Sequence, residues 1–118
     1  MNPEEHLDAL RAAVGADAVV EHEPVVVDGV CLNSSFRPES GEQLATGLRT
    51  LSERGMAALV CGGGSRLGQG NRLRRADLAL EVTGLDGILE FDVEDGVIRV
   101  RAGTEIAELR ETVREEGW

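Results

Sequence analysis

The densest chemical signal in the chain is the run Val60-Cys61-Gly62-Gly63-Gly64-Ser65-Arg66-Leu67-Gly68-Gln69-Gly70-Asn71. Three successive glycines remove every Cβ from the turn. Several backbone N–H groups can then converge on one point, and a ligand can approach the main chain closely. That geometry suits a phosphate or a pyrophosphate. Ser65 adds a hydroxyl donor and Arg66 a positive charge. The run follows the continuous apolar stretch Met56–Val60, read as a buried strand, and five glycines fall within residues 62–70. The alternative is a glycine-rich surface turn. Strand context favours the anion cradle.

The kind of cradle is narrowed by one count. All 12 basic residues are Arg and none is Lys, so the Gly-Lys-Ser/Thr of a Walker loop cannot be built. Gly62, Gly64 and Gly68 fit a relaxed GxGxxxG, but a Rossmann dinucleotide site needs a helix to begin in the loop. Residues 66–76 instead carry two more glycines and no apolar stripe. The string Gly-Gly-Gly-Ser-Arg-Leu-Gly is also similar to the phosphate loop of nucleotidyltransferases, which place it after their first strand and use a downstream Lys. Here some 60 residues precede it. His6 and His22 are isolated and no CxxC is present, so no metal site is expected. Cys31 and Cys61 are read as small buried residues rather than a disulfide or redox pair.

Composition sets the remaining bounds. The 118 residues are 42% hydrophobic and carry a formal net charge of −10, with a pI near 4.6. This length suits one ordinary domain or a piece of a larger one. The acidic balance disfavours nucleic acid and anionic membranes as partners, since phosphates would be repelled over most of the surface. A single small anion on backbone donors is still permitted. No apolar run approaches the roughly 20 residues that span a bilayer, so no membrane insertion is expected. Met1-Asn-Pro-Glu-Glu-His has neither a basic nor an apolar leader region, and a cytoplasmic location is expected.

Several elements are needed to position the glycine loop. Residues 4–14 read as a helix, with Leu7, Leu10, Ala13 and Val14 at helical spacing and Gly15 closing it. Ala18 to Val30 contains an apolar Val25–Val27 run and an Asp28-Gly29 turn. Ser34–Arg37 reads as a strand, and Ser40 as the N-cap of a helix carrying Leu44, Leu48 and Leu51 and ending at Gly55. With the strand at 56–61 this makes a βαβ unit with parallel pairing. A third strand is expected over 77–82. Ile88–Val93 and Val97–Arg101, joined by Glu94-Asp95-Gly96, predict an antiparallel hairpin, and Gly103-Thr104 opens a last helix.

Five motifs occur in order: Val25-Val-Val-Asp-Gly-Val, Phe36-Arg-Pro-Glu-Ser, Ala58-Leu-Val-Cys-Gly-Gly-Gly-Ser-Arg-Leu-Gly, Arg75-Ala-Asp-Leu-Ala-Leu and Val100-Arg-Ala-Gly-Thr. Together they resemble the N-terminal part of the FAD-binding oxidase domain of the vanillyl-alcohol oxidase and p-cresol methylhydroxylase type. The branch most similar is the FAD-binding subunit of bacterial glycolate oxidase and related FAD-linked oxidases. The resemblance covers residues 24–118. It implies an α+β fold: a small parallel βαβ subdomain followed by the first antiparallel hairpin and helix of a second, incomplete subdomain, with FAD in the cleft between them. Residues 1–23 would be a helical lead-in, 24–83 the first subdomain and 84–118 the start of the second.

By the same resemblance Gly62, Gly63, Gly64, Ser65, Arg66, Leu67 and Gly68 wrap the FAD diphosphate with main-chain amides. Asn71 stands near them. Ala102-Gly103-Thr104 matches a turn near the cofactor, and equally reads as a tight strand-to-helix turn. Many family members carry a His just after the glycines as a covalent flavin anchor. Ser65-Arg66-Leu67 stands there in this chain, so non-covalent FAD is expected. The implied function is the FAD-diphosphate-binding portion of an FAD-linked oxidoreductase acting on a small 2-hydroxy acid, with other oxidase subunits as partners. No catalytic residue can be named, because the family's second glycine loop and substrate domain have no counterpart here. The alternative is a non-catalytic interaction module that retains the fold.

Overall fold

The structure is a computed structural model and describes residues 3–62 and 71–118. Its first layer begins with helix α1 (Pro3–Val14), whose Leu7 and Leu10 are buried. Gly15, at φ +101°, ends that helix in a conformation that L side chains rarely adopt. A short 3-10 turn then leads into a hairpin of β1 (Val19–Val27) and β2 (Val30–Phe36). Asp28 (φ 52°) and Gly29 (φ 84°) form its turn, both in the left-handed region that a two-residue hairpin loop requires.

Helix α2 (Gly41–Glu53) follows β2. The Ser40 side chain accepts from the Gln43 N–H at 3.1 Å, and the Gln43 Oε1 accepts from the Glu39 N–H at 2.7 Å. This reciprocal capping satisfies donors that the first helical turn leaves open. Gln43 Nε2 also donates to the Val14 carbonyl at 2.8 Å, tying the two helices together. At the other end Gly55 (φ 64°) permits a Schellman closure: Met56 N–H bonds to Leu51 O at 2.9 Å and Gly55 N–H to Ser52 O at 3.2 Å.

Strands β3 (Ala58–Cys61) and β4 (Leu78–Glu81) complete a four-stranded sheet in the order β1-β2-β4-β3. β2, β3 and β4 are mutually parallel, and β1 is an antiparallel edge. Two expectations are corrected here. The sequence reading pairs the strands flanking α2, but β4 enters between them and bonds to both. The stretch before the glycines is therefore an edge strand with Val60 63% exposed, while Leu78, Ala79 and Leu80 of the central strand are buried. Strand β2 also starts four residues earlier than its sequence pattern suggests, because the hairpin with β1 extends it.

Two apolar clusters lie on opposite faces of this sheet. Leu7, Leu10, Val19, Phe36, Leu51, Leu78 and Leu80 pack under the helices, and Leu32, Ala76 and Ala79 pack on the other face with Leu59, Cys61 and Leu73. Leu32 and Phe36 thus enter different clusters although both are even positions of one strand. The alternation breaks at Ser34-Ser35, which are buried in succession.

A second, two-stranded sheet is made by β5 (Ile88–Asp92) and β6 (Val97–Val100), antiparallel as expected, followed by α3 (Ile106–Glu115). None of the residues of α3 is buried. Leu89, Val97, Ile106 and Trp118 are each more than half exposed. The whole chain presents 7928 Å² of accessible surface. A compact monomer of this mass would present about 6,200 Å², so the chain leaves more surface open than its mass alone requires.

Candidate flavin site

Because β2, β3 and β4 run parallel, their carboxyl ends share one edge, the side of open α/β sheets where ligands bind. Phe36, Cys61 and Glu81 end the three strands there. The ladder continues to the exit of β3, where the Val82 N–H donates to Cys61 O at 3.0 Å. Gly62 is the next residue. It is exposed, and a Cβ built on it would meet nothing within 4 Å. The other expected cradle residues, Gly63, Gly64, Ser65, Arg66, Leu67 and Gly68, lie outside the described residues. The chain is described again from Asn71, and Leu73 N–H donates to Asp28 Oδ2 at 2.8 Å, at the opposite end of the sheet.

A cavity of about 180 Å³ opens beside Gly62, floored by Val25, Val27, Leu32, Leu59 and Ala79. Its polar wall holds a connected set that sequence reasoning missed. His22 Nε2 lies 2.8 Å from Ser35 Oγ, and His22 Nδ1 lies 2.8 Å from the Glu23 carbonyl. Ser35 Oγ is 3.4 Å from Glu81 Oε1, while Arg37 Nε and Nη2 both donate to Glu81 Oε2, at 3.0 and 2.8 Å. The His22–Ser35 pair stands 13 positions apart in the chain and the Ser35–Glu81 pair 46. The antiparallel β1–β2 pairing brings His22 to Ser35, and the register Ser35↔Ala79 brings Ser35 beside β4 and its Glu81. The one signal available was an acidic residue ending an otherwise apolar strand.

The electrostatics decide whether an anion fits. Glu81 would repel a diphosphate, but the paired hydrogen bonds from Arg37 offset its charge. Burial pushes the Cys61 thiol up from its ordinary 9.0, and the Glu81 carboxylate pushes it in the same direction, which keeps Cys61 neutral. Gly62 lacks a side chain and nothing lies within 4 Å of its Cβ position, so at this one described residue of the run the main chain is open to a ligand. Both cysteines are free, and Cys31, paired with Val26 in the β1–β2 hairpin, is exposed. The expectation of two buried thiols is corrected: Cys31 is exposed and Cys61 is only half-buried.

The Ala102-Gly103-Thr104 turn is built as a tight junction. Gly103 N–H donates to Leu85 O at 2.9 Å, and a Cβ on Gly103 would overlap the Val82 carbonyl. Thr104 Oγ1 accepts from Gly87 N–H at 3.0 Å and donates to Gly87 O at 3.2 Å, so it braces the loop after β4 instead of capping α3. Gly84 approaches the loop after β2 as closely, since its Cβ would stand 2.7 Å from Pro38 O. A larger cavity of about 370 Å³ lies at the opposite edge, by His6, Arg54, Arg75 and Asp77, away from Gly62. Among the described residues no three His, Cys, Asp or Glu side chains come together as metal ligands, and no helix is long and apolar enough to cross a membrane.

Comparison with known proteins agrees with this fold. No curated protein matches the chain in sequence. Among solved structures, p-cresol methylhydroxylase with substrate bound superposes on 95% of the chain with a TM-score of 0.71 and 16% identity. The 4-ethylphenol oxidase of Gulosibacter chungangensis, in its isoeugenol complex, covers 97% with a TM-score of 0.77 and 20% identity. An alkyldihydroxyacetonephosphate synthase covers 99% with a TM-score of 0.73 and 15% identity. The chain spans only 24%, 24% and 28% of those three proteins. Its fold is thus part of the FAD-binding oxidase fold of the vanillyl-alcohol oxidase and p-cresol methylhydroxylase type. The family described as "FAD binding domain" matches residues 34–118, most of the chain, and the protein belongs to that family.

Proposed function

We propose that this chain forms the diphosphate-binding part of the flavin domain of an FAD-linked oxidoreductase. Residues 24–83 would be its first subdomain, 1–23 a lead-in that is helical over Pro3–Val14 and runs into β1, and 84–118 the opening of the second. Gly62 through Gly68 would hold the FAD diphosphate by main-chain amides, without a covalent bond, since no His follows the glycines. When bound, FAD supplies a ring that accepts a hydride. The observation carrying this reading is the exit of β3: Gly62 leaves the carboxyl edge of a parallel sheet with open space around it and a charge-balanced Glu81–Arg37 pair beside it.

For the complete enzyme we propose a small 2-hydroxy acid as substrate, other oxidase subunits as partners and a cytoplasmic setting. This rests on the likeness to glycolate oxidase. The superposed proteins are named for p-cresol, 4-ethylphenol and alkyldihydroxyacetonephosphate. The chain by itself should show no substrate-dependent flavin reduction, because it spans only 24% of the p-cresol methylhydroxylase and 4-ethylphenol oxidase it superposes on. The test is an FAD titration of the 118-residue chain followed by amide NMR. Shifts centred on Cys61, Gly62 and Glu81 are expected. Saturable binding that leaves these three unmoved would overturn the assignment, and a yellow preparation reduced by 2-hydroxy acids would overturn the claim of inactivity.

A second reading, an interaction module, is favoured by the exposure of the apolar side chains of Leu89, Val97 and Ile106. Size-exclusion chromatography separates the two. Stable self-association supports the module, and a monomer with intact FAD binding removes it.

A further inference from the structure

We propose that the cavity of about 180 Å³ on the sheet face away from the helices binds a small apolar amine, held as its ammonium ion by Glu81. This site is additional to the flavin reading, which rests on the main chain from Gly62 onward.

The argument starts from hydrogen counting at Glu81. Arg37 Nε and Nη2 both donate to Oε2, at 3.0 and 2.8 Å, so that oxygen is well supplied. Oε1 has only the Ser35 hydroxyl at 3.4 Å, beyond the roughly 2.5–3.0 Å of a good O–H···O bond. That hydroxyl has one hydrogen, and its nearer neighbour is His22 Nε2 at 2.8 Å. His22 Nδ1 lies 2.8 Å from the Glu23 carbonyl, which only accepts. Nδ1 therefore carries the hydrogen of the neutral ring, and Nε2 takes the one from Ser35. Among the described residues Glu81 Oε1 is thus an acceptor without a short donor, on a residue that lines the cavity.

The surroundings set the sign and size of the ligand. Val25, Val27, Leu32, Leu59 and Ala79 supply an apolar floor, and Ser35 is 3% exposed. Among the described residues lining the cavity Glu81 is the only carboxylate, and no Arg accompanies it. Behind this lining Arg37 offsets Glu81 and Arg11 pairs with Glu21 at 3.3 Å, which leaves the charge of Glu23 beside His22. The balance is negative, in a chain of net charge −10, and favours a cation in the cavity over an anion. The Glu81 charge already acts on this wall, since it helps hold the Cys61 thiol neutral. A volume of about 180 Å³ is below the roughly 300–1,000 Å³ of pockets for drug-sized ligands, so the apolar part is a single ring or a short branched chain. Its ammonium group donates to Oε1 in a charge-assisted hydrogen bond while the ring covers the floor.

The test is a benzylamine titration of the full 118-residue chain at pH 8, without FAD, followed by amide NMR. Saturable shifts centred on Ser35, Ala79 and Glu81 are expected, with an affinity on the order of millimolar for so small a ligand. Benzyl alcohol keeps the ring and a hydroxyl donor without the charge, and should bind about 10-fold more weakly. Glu81→Gln keeps the shape and removes the charge, and should weaken benzylamine binding by about the same factor. Should Glu81→Gln fail to fold, benzylamine against benzyl alcohol on the wild-type chain decides. Absence of saturable shifts, shifts centred elsewhere, equal binding of the two ligands or unchanged affinity in Glu81→Gln each overturns the proposal. With FAD left out of the titration, none of these results bears on the flavin assignment.

Discussion

The backbone of Gly103 lies directly against the carbonyl of Val82, and a Cβ at Gly103 would also come within 2.9 Å of Leu85 O. With the Gly103 N–H bonded to Leu85 O, the turn before α3 is joined to the exit of β4 main chain to main chain. Through this junction the second sheet is attached to the edge that carries Gly62. Gly103→Ala should therefore separate the two layers, at a cost on the order of 3 kcal/mol, since backbone atoms cannot move aside as a flexible side chain can. Urea unfolding measures it. A change below about 0.5 kcal/mol would show that the junction is loose.

Two glycines of α2 should respond in opposite directions to the same substitution. Gly47 faces the ring of Phe36, which is fully buried, and a Cβ there would overlap the ring. Gly41 has nothing within 4 Å of its Cβ position. Gly41→Ala should stabilise by about 0.5 kcal/mol through reduced unfolded-state entropy. Gly47→Ala should destabilise by roughly 2 kcal/mol through overpacking. Equal effects would mean that the Phe36 contact does not constrain the helix.

Why these features differ in legibility follows from where their causes lie. The caps of α2, the Glu94-Asp95-Gly96 turn and the alternation of β5 and β6 depend on neighbours in sequence, so Ser40, Gly55 and Gly96 announce them. The place of β4 between β2 and β3 depends on long-range pairing, and nothing local in Met56–Val60 distinguishes an edge strand from a central one. The polar wall was hidden for the same reason. His22 read as an isolated histidine, and only the hairpin and the parallel register deliver it to Ser35 and Glu81. The glycine run stands out as a candidate from sequence alone because its chemistry is that of its own backbone.

Cys61 gives a pH prediction of definite sign. Burial first, then the Glu81 charge, raise its thiol above the ordinary 9.0. A group whose folded pKa is raised stabilises fully below the unfolded value, and that contribution is lost as pH rises toward the folded value. Stability should thus fall as pH climbs above 9.0, more in the wild type than in Cys61→Ser. At neutral pH iodoacetamide should modify exposed Cys31 before Cys61, and Glu81→Gln should speed the reaction at Cys61. Faster labelling of Cys61 in the wild type would contradict the assigned environment.

Trp118 reports on the hairpin and α3 alone. Its indole Nε1 donates to Val93 O at 2.9 Å, its backbone N–H to Val113 O at 2.9 Å, and its ring lies over Gly96. It is the only tryptophan in the chain. Both apolar clusters belong to the four-stranded sheet, whereas α3 buries no residue. Local stability follows buried apolar contact, so the hairpin and α3 should open before the sheet does. Tryptophan fluorescence should accordingly show a lower urea midpoint than far-UV circular dichroism. Trp118→Phe keeps the ring and removes the N–H bond, which is worth about 1 kcal/mol. It should speed amide exchange in α3 while leaving β4 unchanged. Coincident midpoints in the wild type would show that the two layers unfold as one unit, and that the Gly103–Val82 junction is strong enough to couple them.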